Sequence, residues 1–229
     1  MSLQEQLLKT LYDAGAALVG VADLQGIPDC DFPVGISVVL PLPKHITEDL
    51  LTAPTAEYHA AYHALNGRLN EIVLAGEAFL RSHGFRAFSQ TTDAVQTGED
   101  FRSPLPHKTV ATRAGLGWIG KNGLLILPEF GCAVRISSLL TDAPLQTADP
   151  VTASRCGDCR ICVDACPSGA LHGALWTAGL PREELVDARR CFDAQCAIMR
   201  HATGIDTDLC GKCFAVCPYT QRYLRAPLT

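Results

Sequence analysis

The sequence has no long apolar run, no block of lysine and arginine, and no export signal at its start. Its longest apolar stretches, such as Leu124 to Leu127 and Ile36 to Leu40, are strand-sized, far short of the roughly 20 residues a bilayer span needs. Met1-Ser2-Leu3-Gln4-Glu5 carries no basic region, apolar segment or twin arginine, so a cytoplasmic, membrane-free protein is expected. Formal charge is -5, with 10 basic and 16 acidic residues up to position 150 and 9 against 8 after it. Proteins that grip a nucleic-acid backbone usually cluster their cations, so nucleic acid is an unlikely partner. What is present is the balance of a globular chain: 48% hydrophobic and 19% charged residues over 229 positions, enough for one core-forming unit plus a small module held by a cofactor. Nine of the eleven cysteines follow residue 150. Without a secretion signal, such clustering means metal rather than disulfides.

Ser2 and Glu5 form a capping box, and Leu3, Leu7, Leu8 and Leu11 recur at helical spacing until Gly15. Ala17 to Val21 and Ile36 to Leu40 read as buried strands, the second closed by Pro41 and Pro43. A helix is expected from about Ala56 to Ser82, with Tyr58, Tyr62, Leu65, Leu69 and Ile72 on one face and an end near Gly84. Phe85 to Phe88 reads as a strand. Thr91 to His107 is polar and aperiodic, the kind of long loop that tends to be functional. A short helix from about Lys108, a glycine-rich bend, and strands at Gly123 to Leu127 and Cys132 to Leu139 complete the first part. The expected fold is α+β, an α/β layer domain over residues 1–145 followed by a ferredoxin-like domain over 146–229, with the junction within Asp142 to Ser154.

Cys156, Cys159, Cys162 and Cys166, followed by Pro167, spell C-x2-C-x2-C-x3-C-P, the run of two-cluster bacterial ferredoxins. Two-residue gaps bring three thiolates to one cubane, and the three-residue gap turns the fourth towards another cluster. Cys210, Cys213 and Cys217, before Pro218, repeat the second half, with Cys191 upstream. Pseudo-symmetry then predicts two [4Fe-4S] clusters, one on Cys156, Cys159, Cys162 and Cys217 and one on Cys166, Cys191, Cys210 and Cys213. Structural zinc also uses C-x2-C pairs, but has no ordinary need for a third close cysteine and a swapped fourth. Cys196 competes with Cys191 as a ligand, while Cys30 and Cys132 lie among apolar residues and read as core. His59 and His63 stand four apart on the long helix; without a third ligand they read as a helix face.

Arg113-Ala-Gly-Leu-Gly-Trp-Ile-Gly-Lys-Asn122 packs three glycines and a cation into ten residues. Alone it reads either as a tight turn or as a loop that lets backbone approach a ligand. It is no Rossmann fingerprint, because a helix precedes it and a strand follows. Within it Trp118 reads as core or as a stacking platform, and Lys121 as solvated or paired with a cofactor.

That decapeptide upstream of the two cysteine motifs resembles the epoxyqueuosine reductases, cobalamin-dependent bis-[4Fe-4S] enzymes related to reductive dehalogenases, from about Glu57 to Tyr219. The resemblance implies a nitroreductase-like first domain in which Gly115, Leu116, Gly117, Trp118, Ile119, Gly120, Lys121 and Asn122 bind cobalamin base-off, with flavin or no further cofactor as alternatives. It implies an external ferredoxin or flavodoxin as electron donor. Two departures stand out. The family reads V-D-T-G-P-x-x-D-R before R-A-G-L-G, its first Asp being the proton donor, and that position falls here on Phe101; Asp100 or His107 would have to serve as catalytic acid. The family's C-terminal helical repeat domain, which helps hold tRNA, has no counterpart in the 229 residues, which together with the acidic balance argues against a tRNA substrate; the substrate expected is a small organic molecule. The alternative is a non-catalytic electron carrier or reductive activator of a separate corrinoid protein.

Overall fold

A computed structural model describes residues 1–227. In order the chain forms α1 (Leu3–Asp13), β1 (Leu18–Asp23), β2 (Val34–Pro41), α2 (Lys44–Asp49), α3 (Ala56–Ser82), β3 (Ala87–Ser89), α4 (His107–Arg113), β4 (Trp118–Ile119), β5 (Leu125–Ile126), β6 (Val134–Thr141), α5 (Ile161–Asp164), a 3-10 turn (Arg182–Glu184), α6 (Ala188–Thr203), α7 (Lys212–Ala215) and α8 (Pro218–Arg225). The α+β class expected from the sequence is what the chain adopts. No helix among the described residues is long and apolar enough to cross a membrane.

Two compact units emerge, each assembled from separate stretches. The first comprises Met1–Pro41, Ala64–Leu116 and Arg135–Val151; the second comprises Leu42–His63, Gly117–Val134 and the chain from Thr152 onward. Compactness thus divides the chain differently from a single break at 145/146, because 42–63 and 117–134 fold with the cysteine-rich part.

The first unit is a four-stranded sheet in the order β1-β2-β6-β3. β1 and β2 pair antiparallel from Leu18↔Val39 to Asp23↔Val34, and β3 meets β6 antiparallel at Ala87↔Thr141. The interior strand β2 is buried along all but its last residue, which explains why its sequence is apolar apart from the buried Ser37. In α1, Ser2 Oγ accepts from the Glu5 N–H at 3.2 Å and Glu5 returns a bond to the Ser2 N–H at 2.7 Å; Leu7 and Leu11 point inward to join Ile36, Val38, Leu69, Ile72 and Leu139 in the core. Cys30 packs with Leu24, Val110 and Leu140 in a second cluster, as a small apolar residue would.

In the second unit β4 and β5 form a two-residue hairpin, Trp118↔Ile126 and Ile119↔Leu125. The strand expected over Gly123 to Leu127 shortens to Leu125–Ile126 because its start is a turn: Gly123 has φ 70° and the Asn122 carboxamide accepts from the Leu124 N–H at 3.2 Å. α6 was not expected from the sequence, although Asp187 caps it through the Arg190 N–H at 2.9 Å and Gly204, at φ 78°, ends it left-handed.

Candidate metal centre

α5 and α7 are single turns that occupy equivalent places in the two cysteine motifs and pack on each other. Each carries the second cysteine of a C-x2-C pair, Cys162 or Cys213, and leads to a Cys-Pro, so the sequence repeat becomes a structural one. The thiols gather in two sets. Burial pushes Cys162 up to about 11, with Cys217, Cys156 and Cys159 adding to it. Burial likewise pushes Cys191 up to about 11, with Cys166 and Cys210 contributing. Cys213 is raised further, by burial first and then by Cys210, Cys191, Cys162 and Cys166. Mutually close, buried thiols resist ionising because their thiolates would repel; iron that replaces their protons removes that penalty. Among the described residues, no three His, Cys, Asp or Glu side chains converge as closely as one metal ion requires.

The two Cys-Pro cysteines behave differently from the others. Burial acts to raise Cys166, but the Ser168 hydroxyl and the N–H groups of Ala170, Ser168 and Gly169 outweigh it, and the thiol is lowered. Cys217 is lowered to about 6, chiefly by a hydrogen bond from Cys132, then by the Thr220 and Tyr219 N–H groups and the Thr220 hydroxyl, against burial. The chain after each proline turns so that its N–H groups point back at the sulfur. Cys191 lies on α6, and Cys196, five residues on, points about 140° around that helix.

The decapeptide is a tight turn from α4 into β4. Gly115, at φ 72°, ends α4, and Trp118 is 1% exposed, edge-on to Tyr219 with ring centroids 4.9 Å apart and beneath the Arg155 guanidinium. The expectation that Gly117 and Gly120 are bare to admit a cofactor needs correction. A Cβ on Gly117 would lie 2.1 Å from the Ile126 carbonyl oxygen, and one on Gly120 would lie 2.5 Å from Ile126 Cδ1. The chain's own hairpin takes that space. Ile119 is core, and Leu116 packs on the Leu24 cluster of the first unit. Lys121 and Asn122 are buried rather than solvated, and the Trp118 indole N–H is buried without a partner, so polar groups in this turn, not its glycines, are what could meet a cofactor.

Asp100 and His107 both belong to the first unit. Asp100 is exposed; its carboxylate accepts from the Arg102 N–H at 3.1 Å and pairs with the Arg102 guanidinium at 3.3 Å. The intervening Phe101 has φ 60°, an uncommon conformation for a bulky side chain. His107 opens α4 with Nδ1 3.1 Å from Ser138 Oγ. Burial, with Arg135 adding, lowers it to about 4, so its ring is neutral at physiological pH and carries no imidazolium proton to give. His59 and His63 place their Nε2 atoms 3.1 Å apart on α3 with no third ligand converging on them among the described residues.

The family of 4Fe-4S double cluster binding domains matches residues 155–220. An epoxyqueuosine reductase from Synechococcus sp. (strain CC9605) is 40% identical over 131 residues, which is 53% of this chain and 38% of that protein. Over that stretch the chain is similar to the epoxyqueuosine reductases. It spans about two-fifths of the curated relative just described. Among solved structures, an epoxyqueuosine reductase with a modified tRNA-Tyr stem loop superposes with a TM-score of 0.64 at 22% identity, covering 96% of this chain and 65% of that one. A reductive dehalogenase, whose structure concerns B12-dependent dehalogenation, gives 0.71 at 18% identity, covering 93% and 31%. At such identities the structures show a shared fold.

Proposed function

We propose that this chain is an iron–sulfur oxidoreductase that passes low-potential electrons through two [4Fe-4S] clusters to a bound corrinoid, for reduction of a small organic substrate. The observation that carries this reading is the gathering of eight cysteines into two sets across a pseudo-repeat. Cys156, Cys159, Cys162 and Cys217 would hold one cluster, and Cys166, Cys191, Cys210 and Cys213 the other. When bound, the clusters supply one-electron relay and a corrinoid supplies the centre for a two-electron reduction. The protein's own part is to hold the thiolates, direct N–H groups at Cys166 and Cys217, and shield the centres. The B12-dependent neighbour supports a corrinoid, with the Lys121 ammonium and the Trp118 N–H as polar groups towards it. Of the two candidate acids, His107 is neutral and the Asp100 carboxylate is paired with Arg102, so neither stands ready as a proton donor. An external ferredoxin or flavodoxin would load the clusters in the cytoplasm.

A second reading is a non-catalytic electron carrier or reductive activator of a separate corrinoid protein. Phe101, standing where relatives carry the acid, favours it. Anaerobic purification and reconstitution, followed by iron, sulfide, cobalt and flavin analysis, separates these. About eight irons and eight sulfides with stoichiometric cobalt support the enzyme; clusters without cobalt support the carrier; half the iron, or flavin in place of cobalt, defeats the first reading.

A further inference from the structure

His59 and His63 stand one helical turn apart on α3 and take no part in the cysteine sets. The structure brings their two Nε2 nitrogens to 3.1 Å. Their ring centroids are 4.5 Å apart and the planes cross at 70°, so the imidazoles converge at an angle, whereas a linear N–H···N bond would set them head-on. Two ring nitrogens aimed together at an angle suit a shared cation. Metal–nitrogen bonds of about 2.0–2.1 Å would close the 3.1 Å gap at a nitrogen–metal–nitrogen angle of roughly 95–100°, between the octahedral and tetrahedral values. The backbone that carries the pair is anchored. Thr55 Oγ1 accepts from the Tyr58 N–H at 3.1 Å, and the buried Tyr58 ring meets Phe214 edge-on. Tyr62 braces His63 edge-on, with centroids 5.4 Å apart. His63 is exposed, and the flanking positions on that face are the small, exposed Ala56 and Ala60. The nearby Glu57 carboxylate is already engaged by His45 Nε2 at 3.0 Å.

We infer that His59 and His63 form a two-imidazole chelate for a divalent transition-metal ion of the nickel, copper or zinc class, with water completing the coordination shell. Imidazole suits these ions. No third His, Cys, Asp or Glu converges on the pair among the described residues, so the site takes up and releases metal and does not enclose it as a four-ligand structural zinc site does. Both rings must then carry their proton on Nδ1 and present a bare Nε2. Affinity comes from the pairing: once one imidazole has bound, the second bond closes within the same molecule, which strengthens binding by roughly 100-fold or more over a single imidazole. A bound ion also clamps one turn of α3 and stabilises the folded chain by mass action. Separation from the cysteine motifs makes this site independent of the two clusters.

The test titrates nickel(II) chloride calorimetrically into the full-length, anaerobically reconstituted protein, with iron measured before and after. All variants share the same cysteines, so nickel taken by thiols is common to them and the comparison reads the histidines alone. His59→Ala and His63→Ala are each expected to weaken one nickel site by roughly 100-fold. His59→Ala combined with Ala61→His keeps the histidine count but turns the two rings about 200° apart around the helix, and it should bind as weakly as the single variants. His45→Ala should bind like wild type. A wild type with no nickel site that either histidine variant removes overturns the inference. So does a spacing variant that retains wild-type affinity, which would make the histidines independent single ligands, and so does an equal loss in His45→Ala, which would move the metal to the His45 and Glu57 pair.

Discussion

Adding one methyl group at Gly117 should damage the cluster unit. The new Cβ would lie 2.1 Å from the Ile126 carbonyl oxygen and 3.0 Å from its carbon, so the strands must separate by more than an ångström to restore ordinary contact. Pairing between β4 and β5 is only two residues long and cannot spread that displacement. Overpacking of this kind costs about 1–3 kcal/mol, and a lost buried backbone hydrogen bond adds roughly 1 kcal/mol, for a total of roughly 3 kcal/mol. Because the segment after the hairpin carries Gly131 and Cys132 against Thr220, iron should be lost along with stability. Were the turn instead a loop that lets backbone approach a ligand, a side chain at Gly117 would repel that ligand and leave the hairpin intact. The assay is the thermal midpoint of the cluster absorbance under anaerobic conditions, with iron content before and after incubation. Gly67→Ala is the control, since nothing lies within 4 Å of its added Cβ and it sits in α3; it should be neutral or more stable by up to about 1 kcal/mol. Gly117→Ala with a wild-type midpoint and full iron would refute the reasoning.

Cys191→Ala should lose one of the two clusters and Cys196→Ala none, read by iron and sulfide per chain; the reverse would reassign the fourth ligand. His107 titrates near 4 when folded and near 6.5 when unfolded. Its contribution is therefore intact above pH 6.5 and declines as pH falls towards 4, by roughly 2–3 kcal/mol. His107→Gln should flatten that part of the stability profile, measured as the fall in thermal midpoint between pH 7 and pH 5; an unchanged slope would show that the ring is not buried neutral.

Local signals were legible in the sequence, and non-local ones were not. α3 runs from Ala56 to Ser82 as its apolar period implies, and Ser2 with Glu5 caps α1 as the S-x-x-E pattern implies. The cysteine spacings were legible for the same reason, because backbone reach over two or three residues constrains where each thiol points. α6 is not among the elements expected from the sequence, although Asp187 and Gly204 mark its ends. Trp118 and Ile119 form too short a strand for any periodicity to show. Cys132 was legible as buried, but Thr220, whose hydroxyl accepts from its N–H, lies far along the chain, and only tertiary structure brings them together.

The same limit applies to the division of the chain, and it yields a further test. A fragment of residues 146–229 contains every candidate cluster ligand, so the sequence presents it as self-sufficient. In the structure its helices lean on segments that such a fragment lacks. Phe214 meets Tyr58 edge-on at 6.2 Å, the Tyr223 hydroxyl donates to the Leu42 carbonyl at 3.0 Å, and Tyr219 packs on Trp118. Leu50 reaches so near Gly211 that a Cβ there would be 2.7 Å from it, and Lys212 donates to the Leu51 carbonyl. Each large apolar side chain left exposed forfeits about 1.5–3 kcal/mol, and losing several exceeds what a small domain can spare. The fragment should therefore take up fewer irons than the full chain on anaerobic reconstitution, and lose them faster to a chelator. If it instead holds about eight irons with the full chain's resistance to chelation, residues 42–63 and 117–134 are dispensable to the clusters and the compact unit is not their folding unit.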